Sequence, residues 1–388
     1  MHNKNNETIY LKGMTWDHER GYNPMVVTSN LFCEKKLKQN KQNIVITWEK
    51  RSLQAFADRP IEDMIKQYDL IVIDHPHVGK ISSENLLINF DGKGYDKELK
   101  ILEKQSVGIS HKSYEFNNKQ WGLPIDTASP ISIYRPDLLK TIPTKWDEVI
   151  KLAKTGKVIW PLIPINALMS YFNFLGNMKE PFGQNKIGVK EQTSIKVLKM
   201  MKKVSKYIPK ECFNMDPIDA YEWLSTRSSH SYIPFAYGYS NYSRDGFRPY
   251  LVKVTNIPTI AANGPIGSPI GGTGIAISKY CKNIDIALEY AFDIASAKTQ
   301  KGIFYKACGQ PANINAWKDK YCNKNSNNFF KDTLQTLELS YLRPKHKGYM
   351  GFQDIAGDII FDCLVGKISE KVATKLINKE YKRSLKNV

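Results

Sequence analysis

Short apolar runs alternate with longer stretches whose apolar positions recur at helical spacing. Residues 9–14 form the first short apolar run and end in a polar segment, 15–24; Met25, Val26, Phe32, Cys33 and Leu37 then recur near helical spacing. Residues 43–47 predict a second buried strand, closed by Trp48 to Arg51. A helix over 59–68, with Pro60 near its start, leads to a third strand over 69–74. This βαβαβ order predicts a parallel sheet with right-handed crossover helices. Such sheets take ligands beyond the carboxyl ends of their strands. Here those ends carry Trp16-Asp17-His18-Glu19-Arg20, Trp48-Glu49-Lys50-Arg51 and Asp74-His75-Pro76-His77.

The series then gives way to extended chain over 121–134. Pro124 and Pro130 bias the residues before them away from the helical region, and Ile131, Ile133 and Tyr134 favour a strand. This predicts a hinge between two bodies. Beyond it come a helix over 144–156, with Thr144 as N-cap, Asp147 in the capping box and Gly156 as C-cap, and a buried strand over 158–165 broken by Pro161 and Pro164. An apolar helix over 166–175 offers Asn166, Ser170 and Asn173 near its start. Amphipathic helices are expected over 195–207 and 219–224, and an aromatic strand and loop over 232–242, where Tyr237 and Tyr239, two apart, would share a face. The glycine-rich stretch 263–274 lacks the spacing of a phosphate-cradling loop and predicts a second crossover, leading into a strand over 275–278. A long helix over 284–299, a third crossing over 309–315 and closing helices over 329–342 and 351–381 complete the chain.

A length of 388 residues suits two α/β domains, and 42% hydrophobic with 11% aromatic content suffices for burial. The net charge of +18 rests on 47 lysines against 9 arginines, spread along the chain without a recognised nucleic-acid motif. Nucleic acid is therefore not expected as a partner; attraction to an anionic solute or an anionic membrane surface is compatible with the charge. Six cysteines show no metal-binding spacing, and no apolar run approaches the ~20 residues needed to span a bilayer.

The order of parts is a βαβαβ lobe, a WGLPxD crossover at 121–126, a mixed second lobe, a glycine-rich return, and a crossing around Gly309-Gln310-Pro311. The chain ends in a glycine followed by a serine-capped helix over 364–376. In this it resembles the extracellular solute-binding proteins of ABC importers, in family 1, which includes maltose-binding protein. The resemblance implies a type II periplasmic-binding-protein fold of class α/β. Its lobes would be 1–123 with 271–310 and 131–265 with 316–388, joined by hinge crossovers near 124–130, 266–270 and 311–315. It implies a non-catalytic, monomeric protein without cofactor or metal, holding a sugar or anionic sugar derivative in the inter-lobe cleft and presenting it to ABC permease subunits. The implied location is periplasmic or cell-surface; no signal segment is visible in this sequence, so a cytoplasmic sensor on the same fold is the alternative.

The expected ligand-binding set is Trp16, Asp17, His18, Arg20, Trp48, Lys50, Arg51, Asp74, His75, His77, Asp126, Asn166, Tyr237, Tyr239, Thr273 and Gln310. Trp160, Trp223 and Tyr242 are further candidates for stacking on a sugar. A guanidinium can hold a carboxylate or phosphate bidentately, so Arg20 and Arg51 either contact the solute or pair with Glu19 and Glu49. With Lys50 and the histidines they would make the first-lobe wall electropositive. Asp126 either accepts solute hydroxyls or ties down the crossover. Asp74, His75 and His77 together also suit an acid–base or metal site, the basis of a competing reading as a two-lobed enzyme.

Overall fold

A computed structural model describes residues 8–52, 61–226, 229–260 and 264–386. The chain clusters into two compact units, Met1–Thr127 with Gly272–Asp319 and Ala128–Gly271 with Lys320–Val388. It passes between them at 127/128, 271/272 and 319/320. The third passage lies beyond 311–315 because that segment's polar groups are engaged within the first unit. Val107 N–H donates to Ala312 O and Ile314 N–H to Gln105 O. Ala312 N–H donates to the Gln300 side chain and the Trp317 indole N–H to Pro311 O.

In the first unit, strands Ile9–Trp16 and Ile44–Arg51 pair in parallel, and Leu70–Asp74 lies parallel to the first on its other edge. Thr273–Ser278 joins antiparallel beside Leu70–Asp74, followed by Leu87–Ile88, with Leu123–Pro124 also on Thr273–Ser278. Leu70 to Ile73 are all buried, as expected for a central strand covered on both faces. Met14, Ile65, Tyr68, Ile71, Ile73, Val78, Ile81, Tyr114 and Trp121 form the core on one side of the sheet. Residues 59 and 60, the expected start of the helix there, lie outside the described residues; the described helix is Ile61–Met64.

The polar loop expected through residue 24 is a correction. The helix spans Glu19–Asn40 with Pro24 inside it, and His18 caps it by accepting from Arg20 N–H at 3.0 Å. Gly21 has room for no side chain: a Cβ there would lie 2.4 Å from the Trp16 indole, so strand end and helix start are packed as one piece.

His111 is 6% exposed, and burial pushes its imidazole down to about 4 against carboxylates at Glu103 and Asp91 that oppose the shift. The folded protein therefore keeps His111 neutral at pH values where the unfolded chain, with its imidazole near 6.5, takes up a proton. Stability present above pH 6.5 falls as pH drops toward 4, by about 3 kcal/mol from this group. Urea unfolding at both ends of that window should show a smaller acid loss for His111→Gln; equal losses in the two proteins would refute the assignment.

The second unit holds an antiparallel sheet in the order Lys253–Thr255, Pro130–Tyr134, Tyr232–Tyr237, with a register shift between Ile131 and Ile133. Helix Pro164–Asn177 is buried on nearly all sides and packs on Tyr349–Leu364. The strand expected over 158–165 does not form. Pro161 has no N–H to donate, so only Val158 bridges Tyr232, and Pro164 starts the helix. The helix expected from Thr144 is Trp146–Ala153, and Glu148 rather than Asp147 closes its start, accepting from the Thr144 and Lys145 N–H groups. The helix expected over 284–299 ends at Ala295, where Ser296 turns extended and caps the next turn.

The lysine excess is not spread evenly. The second unit has 32 Lys and Arg against 17 Asp and Glu, a net +15, and the first has 24 against 21, a net +3.

Candidate functional site

The parallel register places the candidate residues of the first unit in a row. Trp16 lies opposite Arg51, and Thr273 opposite Asp74, so Arg51, Trp16 and Asp74, which end three neighbouring strands, and Thr273, which begins the fourth, lie at the same end of the sheet. At about 4.8 Å per strand the row is about 14 Å long. Residues 126–127 border it, since Asp126 and Thr273 exchange backbone hydrogen bonds at 3.0 Å in both directions.

The charges in this row are largely compensated, which corrects the expected electropositive wall. The Arg20 guanidinium clamps Asp126 through both oxygens, Nε to Oδ2 at 2.6 Å and Nη2 to Oδ1, with each side chain 4% exposed. Burial drives the Asp126 carboxyl upward and the Arg20 guanidinium opposes that shift. Arg20 and Asp126 thus pin the helix start to the crossover. Lys50 pairs with Asp17 at 2.8 Å, which raises the ammonium. Lys12 and the Tyr68 hydroxyl hold Glu49 below its ordinary range.

Arg51 differs. Its guanidinium lies over the Tyr68 ring at 5.5 Å, and its two Nη atoms are enclosed yet make no hydrogen bond with a described residue. Two hydroxyls of this end share that condition, Thr273 Oγ1 and Thr127 Oγ1, the latter on a side chain with no exposure. Thr127 was not singled out in the sequence, because a lone threonine in a crossover carries no pattern.

The other candidates of this unit have structural surroundings. Trp16 is buried and stacked on His18 at 5.2 Å. Trp48 lies beneath Gly13 and beside Tyr290. Gln310 is buried and donates to Thr127 O at 2.8 Å, tying the crossover. His75 is 1% exposed, 3.2 Å from Asp74 and edge-on to Tyr114; His77 is half-buried in the turn that follows. Among the described residues no group of three or more His, Cys, Asp or Glu side chains is placed to hold a metal ion.

Within the second unit the tyrosine expectation is corrected. Strand Tyr232–Tyr237 ends before Tyr239, so the two tyrosines share no strand face. The Tyr237 ring packs on Gly271, where a Cβ would approach to 2.6 Å. Tyr239 joins Tyr221 and Tyr242 in a buried aromatic cluster. The Tyr242 hydroxyl donates to Glu222 at 2.6 Å, and burial with that carboxylate pushes the phenol far up. Arg248 also grips Glu222, at 2.8 and 2.9 Å. Trp160 is core, between Trp146 and Phe235, and Trp223 donates to His230.

Asn166 and Asn173 fall two turns apart on helix Pro164–Asn177, 8% and 0% exposed. The Asn166 amide nitrogen and both polar atoms of the Asn173 amide make no hydrogen bond with a described residue. Asn241 and Ser243, in the turn Ser240–Ser243, are likewise buried with polar side-chain atoms that make no hydrogen bond with a described residue. Buried amides and hydroxyls of this kind suit a partner rich in hydroxyl groups.

No protein-family model matches the sequence, and no curated protein matches it. Solved structures do. Maltose-bound MalE3 of T. maritima aligns with 97% of this chain and 99% of its own, at 15% identity and a TM-score of 0.79. A ribitol complex of an ABC transporter solute-binding protein from Agrobacterium radiobacter aligns with 97% of this chain and 98% of its own, at 17% identity and 0.80. A Thermotoga lettingae solute-binding protein bound with alpha-D-tagatose gives 97% and 99%, 15% identity and 0.75. In architecture and in the course of nearly its whole length, the chain has the type II periplasmic-binding-protein fold of these sugar- and polyol-binding proteins.

Proposed function

We propose that this chain is a non-catalytic binding protein for a small polyhydroxylated solute, a sugar, polyol or sugar acid, which it presents to the permease of an ABC importer. The observation that carries the reading is the set of enclosed polar atoms that make no hydrogen bond with a described residue at one end of the first unit's sheet: Arg51 Nη1 and Nη2, Thr127 Oγ1 and Thr273 Oγ1. Leaving such groups unpaired is costly, about 1–3 kcal/mol each, so a solute that supplies hydroxyl partners gains what the free protein lacks. Maltose, ribitol and tagatose, bound by proteins of the same fold, are of this chemistry. With Lys50 and Arg20 already paired, Arg51 is the group that would favour an acidic sugar.

Arg51→Ala should weaken the solute by about 1.5–3 kcal/mol, tenfold or more in Kd, while Arg248→Ala leaves it unchanged, because Arg248 is satisfied by Glu222. Calorimetric titration of the three proteins checks this. Unchanged affinity in Arg51→Ala would remove the guanidinium from the site.

A further inference from the structure

The charge of the second unit has a location. Residues 186–210 hold eight lysines against one acid, and residues 367–386 hold seven basic residues against two acids, so these two segments carry +12 of the unit's +15. They contain two helices of fifteen residues, Glu191–Ser205 and Glu370–Ser384, each about 22 Å long and together a net +6. The helices run antiparallel: Lys202 pairs with Glu370 at 3.1 Å, Ser194 bonds Thr374 at 2.7 Å, and the Asn378 amide spans Val189 N–H and O. Their inner faces are buried through Val197, Leu198, Met201, Ala373 and Ile377.

On the outer face Lys196, Lys199 and Lys203 stand beside Lys371, Lys375 and Lys379, all exposed and none in an ion pair or hydrogen bond with a described residue. Apolar side chains lie among them. Ile195 and Met200 line a shallow recess of ≈ 540 Å³ with Gln192 and the first three lysines, and Val372 is 44% exposed.

We propose that this two-helix face docks on an anionic phospholipid surface. Lysines on flexible stems give up little by meeting mobile headgroups, whereas phosphate recognition in nucleic acids favours the rigid fork of arginine, of which the two segments hold only Arg383. The apolar side chains between the lysines have a place to insert at the headgroup boundary and none along a duplex backbone. The inference is independent of the solute.

Co-sedimentation of the full chain with vesicles tests it. Binding is expected to vesicles of phosphatidylcholine mixed with phosphatidylserine, to fall with added salt, and to be weak on phosphatidylcholine alone. The triple changes Lys196→Gln, Lys199→Gln, Lys203→Gln and, separately, Lys371→Gln, Lys375→Gln, Lys379→Gln should each lower partitioning about tenfold or more. Changing the equally exposed Lys97, Lys100 and Lys104 of the first unit to glutamine should leave it within twofold of the unaltered protein, by the same per-lysine scale. No preference for phosphatidylserine, an equal loss in the first-unit control, or tighter binding to duplex DNA than to the anionic vesicles would each overturn the proposal.

Discussion

Asp126→Ala is expected to lower the unfolding free energy by about 3–5 kcal/mol, because it leaves the Arg20 guanidinium buried without its counter-charge. Both side chains are 4% exposed, so solvent cannot take the place of the lost carboxylate. Arg20→Ala should cost a similar amount. Replacing both together with apolar residues of like volume, Arg20→Met and Asp126→Leu, should cost much less than either alanine change, since no charge is then stranded. Urea unfolding of the four proteins measures this. Single changes costing under about 1 kcal/mol would mean the pair is screened, as exposed pairs are, and its pinning role would fail.

Gly267→Ala should be nearly as damaging, for a different reason. Gly267 sits at φ +88, and a Cβ there would lie 2.2 Å from the backbone carbon of Gly176, a contact no side-chain rotation relieves. Gly264 is the natural comparison, with φ +75 and nothing within 4 Å. Gly264→Ala carries only the left-handed backbone cost, about 1–2 kcal/mol, whereas Gly267→Ala adds an overlap that forces two backbones apart, and a total above about 4 kcal/mol is expected. Thermal midpoints of the two variants that agreed within error would show that the close approach of Gly176 and Gly267 is not a fixed feature of the fold.

The alternation of strand and helix was legible along the chain because it rests on local periodicity, and the row Trp16, Arg51, Asp74 follows from parallel pairing alone. What the sequence concealed depends on contacts between distant residues. The polar run 15–24 reads as a loop, yet the helix begins at Glu19, held by the His18 cap, the Gly21 packing and the Arg20–Asp126 pair across 106 positions. The charges of Lys12, Lys50 and Arg20 looked available because their partners, Glu49, Asp17 and Asp126, are set by register and tertiary packing. Tyr237 and Tyr239 looked like one face because a period of two holds only while a strand lasts, and this one ends at Tyr237. Asn173 lies at i+7 from Asn166, a spacing visible in the sequence, but that the Asn166 amide nitrogen and both polar atoms of the Asn173 amide make no hydrogen bond with a described residue was not. The concentration of lysine on two segments was hidden in the same way: 186–210 and 367–386 are distant in the chain and adjacent in the unit.

The central claim is that the chain binds a polyhydroxylated solute through the enclosed polar groups at the Arg51–Thr273 end of the first sheet. Isothermal titration of the full chain against sugars, polyols and sugar acids, repeated with Thr273→Val, tests it most directly. The account predicts saturable binding of at least one member, stabilising the fold by about 2.7 kcal/mol at a hundred times its Kd, and a loss of tenfold or more in Thr273→Val. Failure of every member to bind, or undiminished affinity in both Thr273→Val and Arg51→Ala, would contradict it.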